Sequence, residues 1–124
     1  MAQNPRKIFA VVDDLFFIVK INDAAKRAGM QIEFLKSEQD LVEKALAERP
    51  ALLIVDLNCT SVRPLSLISN VKREVALKDL SVIAFVSHVQ GELKMQAQSA
   101  GADMVLARSA FSINLPQILR RHAA

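Results

Sequence analysis

The sequence predicts an α/β domain built on one parallel sheet with helices on both faces. Three observations carry that prediction. Short continuous apolar runs, such as residues 8–12 and 52–55, alternate with segments whose apolar residues recur at helical spacing. Both of those runs stop abruptly at aspartate, at Asp13-Asp14 and at Asp56. The chain has 124 residues, 52% of them hydrophobic, enough for one core and too few for two.

Ile8-Phe9-Ala10-Val11-Val12 reads as a strand covered on both faces, because a half-exposed strand would alternate apolar with polar residues. Residues 15–28 place Phe17, Ile21, Ala24, Ala25 and Ala28 on one side of a helix. Lys20, Asp23, Lys26 and Arg27 lie mostly opposite, and Gly29 follows where a C-cap falls. Residues 32–35 form a second strand. Ser37 to Asp40 resembles a capping box with Asp in the Glu position, opening a helix that Pro50 ends. Residues 52–55 are the third strand, and Pro64 suits the first turn of a third helix with Leu67, Ile68 and Val71 inward. Residues 82–86 are the fourth strand, ending at Ser87-His88, and a helix carrying Leu93, Ala97 and Ala100 precedes Gly101. Met104-Val105-Leu106 is the fifth strand, and a last helix contains Leu115, Ile118 and Leu119. Pro116 is expected near the start of that helix, where amide protons are unpaired in any case.

Composition excludes several classes of function. Sixteen basic against thirteen acidic residues leave +3, a surplus that names no partner. Lys72, Arg73, Lys78, Lys94, Arg120 and Arg121 are scattered and not interleaved with aromatics, which argues against nucleic-acid binding. One cysteine excludes an intramolecular disulfide or a Cys-rich zinc module and fits a reducing compartment. No apolar stretch approaches the roughly 18–20 residues that cross a bilayer. The N-terminus lacks the apolar run of a signal peptide, so a cytoplasmic domain without membrane contact is expected.

Open α/β sheets bind ligands at the carboxyl ends of their strands. Asp13 and Asp14 end the first strand and Asp56 the third; if those strands are neighbours, the carboxylates converge within ~5–10 Å. Three like charges in one place need a cation or raised pKa values. A hard divalent ion such as Mg²⁺ satisfies such oxygens. The plainer alternative is that each aspartate stops a strand and starts a turn.

Val11-Val12-Asp13-Asp14, Leu53-Ile54-Val55-Asp56-Leu57 and Gly101-Ala102-Asp103, in this order and spacing, resemble the response-regulator receiver domain. The resemblance spans about residues 7–122 of a single domain, residues 1–124. It implies a flavodoxin-like (CheY-like) three-layer sandwich, with a five-stranded parallel sheet of order 2-1-3-4-5 and five helices. It implies two-component phosphorelay signalling, with Asp56 accepting a phosphoryl group from a sensor histidine kinase or phosphotransfer protein. It makes Asp14 a direct Mg²⁺ ligand, Asp13 a ligand largely through water, Asp56 a third ligand, and the Asn58 backbone carbonyl a fourth. An unknown downstream protein would read the signal, and receivers also pair as homodimers through the last helix and the strand before it.

The departures from the family pattern gather in the switch machinery. Where receivers carry Lys then Pro after the fifth strand, this chain has Arg108-Ser109; Arg keeps the charge in a planar fork instead of a compact point. The hydroxyl position at the end of strand four holds Val86, and Ser87 reaches a phosphoryl group only if the strand end is bulged. The aromatic switch position holds Val105, and Thr60 and Pro64 stand where receivers have Pro and Gly. Cys59 reads as a small apolar side chain and His88 as an incidental loop histidine. Leu15, Phe16 and Val19 lie off the buried helix face; they form an apolar patch beside the site or lie under a loop.

Two readings follow. In one, the domain accepts phosphate on Asp56 with an eroded switch; in the other, it is a phosphorylation-independent pseudo-receiver acting as an interaction module. A Mg²⁺-dependent phosphohydrolase is weaker, since no further general acid or base accompanies the aspartates, and the domain is expected not to be an enzyme.

Overall fold

The computed structural model describes residues 6–87 and 90–123. Five strands, β1 (Lys7–Val11), β2 (Gln31–Phe34), β3 (Leu52–Asp56), β4 (Ser81–Val86) and β5 (Met104–Ala107), are joined by helices in strict alternation. The helices are α1 (Leu15–Arg27), α2 (Glu38–Glu48), α3 (Pro64–Arg73), α4 (Gly91–Ala100) and α5 (Arg108–Ala123). A 3₁₀ turn, Val75–Leu77, follows α3. All pairings are parallel and the strand order is β2-β1-β3-β4-β5, the CheY-like flavodoxin topology expected from the sequence.

The period of two along each strand splits the core in two. Ile8, Ala10, Leu52, Ile54, Ile83 and Phe85 pack with Phe17, Ile21, Phe111 and Leu115 of α1 and α5. Phe9, Val11, Leu53, Val55, Val82 and Ala84 pack with Leu41, Leu67, Ile68 and Ala97 of α2, α3 and α4. Every residue of β3 is buried, so its last residue, Asp56, is buried with it. The same alternation puts Asp56 in line with Leu52 and Ile54, on the α1/α5 side. Three rings fill that side. Phe85 stacks on Phe111 at 4.4 Å between centroids, and Phe17 lies 4.8 Å from Phe85.

Local signals in the sequence are expressed as read. Ser37 Oγ accepts from the Asp40 N–H at the start of α2, and Pro64 occupies the first turn of α3. The chain leaves α2 through Arg49, a left-handed residue that the sequence did not mark. Its guanidinium donates to the Leu46 and Ala76 carbonyls, which hold it in that conformation. Pro116 corrects the sequence reading. It lies well inside α5, not near its start. Pro116 is exposed while Phe111, Leu115, Ile118 and Leu119 are buried, so the missing N–H falls on the outer face and packing of the inner face carries the helix through.

Gly101-Ala102-Asp103 has a structural role. Asp103 Oδ2 accepts from the Val82 N–H at 2.7 Å and from Lys72 Nζ at 2.8 Å, tying the start of β4 to α3. Gly101 is left-handed, with φ 119°, and a Cβ there would stand 2.8 Å from Lys72 Cγ. Gly101→Ala is therefore expected to cost at least about 1–2 kcal/mol in denaturant unfolding. A cost near zero would mean that this turn is not under the constraint described.

Candidate functional site

The carboxyl ends of β1 and β3 are adjacent in the sheet, and they bring Asp13, Asp14 and Asp56 to one edge. The three carboxylates do not share one environment. Asp14 is the N-cap of α1, with Oδ1 accepting from the Phe16 N–H at 2.9 Å. Its other oxygen, Oδ2, lies 3.6 Å from Nη1 of Arg108. Asp13 turns toward the loop after β3. Its Oδ2 accepts from the Thr60 N–H at 2.8 Å, the Ser61 N–H at 3.2 Å and the Thr60 hydroxyl at 3.3 Å, and its Oδ1 from the Ser61 hydroxyl at 2.9 Å. These donors, the Thr60 N–H above all, hold Asp13 below the ordinary carboxylate range against the smaller upward pull of burial.

Asp56 is the one charged residue among the described residues that is buried, at 2% exposure. Its Oδ1 accepts from the Asn58 N–H at 2.9 Å, and its Oδ2 lies 3.6 Å from Nη2 of Arg108. Burial raises the Asp56 pKa; the Asn58 N–H and the Arg108 charge oppose that rise, while the negative charges of Asp14 and Asp13 add to it. Both expected remedies for crowded carboxylates are thus present, a nearby cation and a raised pKa.

Arg108 opens α5 directly after β5, without an intervening loop. Its Cζ sits 5.5 Å from the centroid of the Phe17 ring, a cation–π contact that steadies the fork beneath the two carboxylates. Arg108 Nε is buried without a hydrogen-bond partner, as is Asn58 Oδ1. The Asn58 amide nitrogen donates to Gln90 at 2.8 Å, linking the loop after β3 to the start of α4.

A divalent ion does not fit this arrangement. The Asp14 and Asp56 oxygens that would bind it face one guanidinium, and both Asp13 oxygens are engaged by Thr60 and Ser61. Among the described residues no group of three His, Cys, Asp or Glu side chains could hold a metal ion. The sequence expectation gathers Asp13, Asp14, Asp56 and the Asn58 carbonyl around one ion; in the structure Asn58 meets Asp56 through its N–H.

The same strand order and helix arrangement recur in solved structures of receivers. CheY4 of Vibrio cholerae is 19% identical, with a TM-score of 0.79 over 95% of this chain and 98% of that chain. The cyanobacterial phytochrome response regulator RcpA is 20% identical, with a TM-score of 0.75 over 94% of this chain and 89% of that chain. The chain has the response-regulator receiver fold. A response regulator from Burkholderia pseudomallei, solved with a phosphorylated aspartic acid, calcium ion and citrate, is 21% identical, with a TM-score of 0.76 over 95% of this chain and 68% of that chain. No protein-family model matches the sequence, and no curated protein is found to match it.

The residues at the departures from the receiver pattern are placed as follows. Val86 and Val105 are buried in the α2/α3/α4 half of the core, and neither carries a polar group. Ser87 lies just beyond β4, where its carbonyl accepts from the Gln90 N–H at 3.1 Å. Among the described residues its hydroxyl makes no hydrogen bond to Asp56 or Arg108. His88 falls outside the described residues. Cys59 is buried, and desolvation pushes its thiol up to about 11, so it is an inert core side chain. Leu15, Phe16 and Val19 form the exposed patch, at 72%, 65% and 61% exposure, and none of the described loops covers them. Among the described residues, no helix is long and apolar enough to cross a membrane.

Nothing in the sequence singles out Thr60 and Ser61 as partners of Asp13. Two adjacent hydroxyls four and five residues after the strand-ending Asp56 are the available signal, but nothing in the sequence says which carboxylate they meet. The two shifts have opposite signs. A carboxyl raised in the folded state loses stability as pH climbs from its unfolded pKa, about 4, through the folded value. Asp56→Asn is therefore expected to raise Tm at pH 7, with the gain shrinking as pH approaches 4. Asp13, depressed in the folded state, contributes stability above its unfolded pKa that is lost as pH falls through the folded one. Asp13→Asn is expected to lower Tm at pH 7 and to quicken hydrogen exchange at the Thr60 and Ser61 amides; thermal melts and amide exchange check both.

Proposed function

We propose that the chain is a receiver-type module of two-component signalling in which Asp56 accepts a phosphoryl group. The observation that supports this reading is the burial of Asp56, alone among the charged residues described, at the carboxyl edge of the sheet and against a cation. A buried charge costs stability unless it is paired, and a purely structural strand end does not require one. In the transfer, Asp56 Oδ2 attacks the phosphorus, the new O–P bond forms as the bond to the donor breaks, and the donor leaves with the electron pair. The Arg108 guanidinium offsets charge on the phosphoryl oxygens. Arg108 covers Oδ2 at rest, but its side chain is 36% exposed, so the fork has solvent to turn into as the donor enters.

The donor in this reading is a histidine kinase or phosphotransfer protein, and the exposed Leu15, Phe16 and Val19 face beside Asp14 is the surface it would meet. A phosphoryl group on Asp56 adds acceptor oxygens beside Asn58 and Arg108, which reach the starts of α4 and α5. A second reading, the phosphorylation-independent interaction module, is favoured by the buried Val86 and Val105, which leave neither a hydroxyl nor a ring at those two positions.

Acetyl phosphate separates the two readings. Incubated with it, the wild-type chain is expected to gain the mass of one phosphoryl group and Asp56→Asn none, by intact mass spectrometry. A wild-type chain that stays unmodified, with and without Mg²⁺, would sink the acceptor reading and leave the interaction module.

A further inference from the structure

We propose that Arg108 is the resident counter-cation of the acidic pocket, holding by its guanidinium the place of a divalent ion, so that the pocket is balanced without metal. The proposal goes beyond the acceptor reading, because it concerns how the pocket is neutralised whether or not Asp56 is modified.

The geometry carries it in three parts. First, the two contacts of the fork fall on the oxygens a metal ion would need. Nη1 faces Asp14 Oδ2 and Nη2 faces Asp56 Oδ2, each at 3.6 Å. An ion joining those oxygens at the roughly 2.0–2.1 Å of magnesium coordination would lie within the ~4–6 Å at which like charges disfavour one another. Guanidinium and metal therefore compete for the same two oxygens. Second, Asp13 is withdrawn from that space, and bringing it round would strip both oxygens of the Thr60 and Ser61 donors.

Third, the fork is placed by rigid elements. It stands at the junction of β5 and α5 and rests on the face of Phe17, which packs on Phe85, the register partner of Asp56. A planar guanidinium presents two nitrogens to two separate carboxylates at once, whereas an ammonium offers one point of charge. Arginine in this position is thus a bridge between the end of β3 and the cap of α1.

The test is thermal unfolding of the metal-stripped full chain, followed by circular dichroism because the sequence has no Trp or Tyr. Wild type is expected to keep its Tm when millimolar Mg²⁺ is added. Arg108→Gln, whose acidic pair has lost its counter-charge, is expected to melt several degrees lower and to recover in Mg²⁺, as specific binding to the native state requires. A wild-type Tm that rises saturably with Mg²⁺ overturns the proposal, and so does a folded Arg108→Gln chain that ignores the ion. Should that variant not fold, Mn²⁺ titration of wild type by NMR decides. Undisturbed Asn58 and Phe16 amides support the proposal, and selective broadening of them overturns it. Neither measurement depends on phosphoryl transfer, so failure here and failure of the acceptor reading are told apart by the mass of Asp56.

Discussion

A carboxylate at the end of a strand buried on both faces has no water to solvate it, and the carboxyl edge of this domain is arranged around that cost. β3 lies at the centre of the sheet between β1 and β4, and every one of its residues is buried. Asp56 inherits that burial. Its charge is met by one backbone N–H and one guanidinium, and both come from elements whose position the sheet dictates. The Asn58 N–H arises from the turn that β3 must make. Arg108 arises at the point where β5, two strands away, passes into α5.

The aromatic cluster ties this electrostatic arrangement to the core. Phe17, Phe85 and Phe111 pack between the sheet and the α1/α5 layer, and Arg108 lies over the ring of the first. The same packing that joins α1 and α5 to the sheet therefore sets the height of the guanidinium. Asp14 serves both helices of that layer. One oxygen caps α1 and the other faces Arg108, so the start of α1 and the start of α5 are linked through a single carboxylate. A receiver fold built this way pairs its strand-end carboxylates internally.

The opposite treatment of two consecutive aspartates shows how local geometry divides a motif. Asp13 and Asp14 are chemically alike and adjacent, yet successive residues leaving a strand point in different directions. Asp13 meets the hydroxyls and amides of the loop after β3 and is stabilised as an anion by hydrogen bonds; Asp14 meets a helix terminus and a guanidinium. The acidic pocket read as three converging charges is better described as one anchored loop, one helix cap and one buried carboxylate, with Arg108 shared by the last two.

The sequence by itself determined the alternation of strands and helices, the buried character of β1 and β3, and the residues at the strand ends. Those properties follow from short-range patterns: continuous apolar runs, helical spacing, Ser37 and Pro64 at helix starts, and aspartates that end a run. Tertiary structure decided what short-range pattern does not encode. Pro116 stays within α5 because its inner face is packed, and propensity along the chain does not see that packing. Thr60 and Ser61 reach Asp13 across 47 and 48 residues of chain, and Arg108 reaches Asp14 and Asp56 from the far end of the sheet. Charge pairing is set by distance in space, and only the folded sheet brings those groups to the same edge.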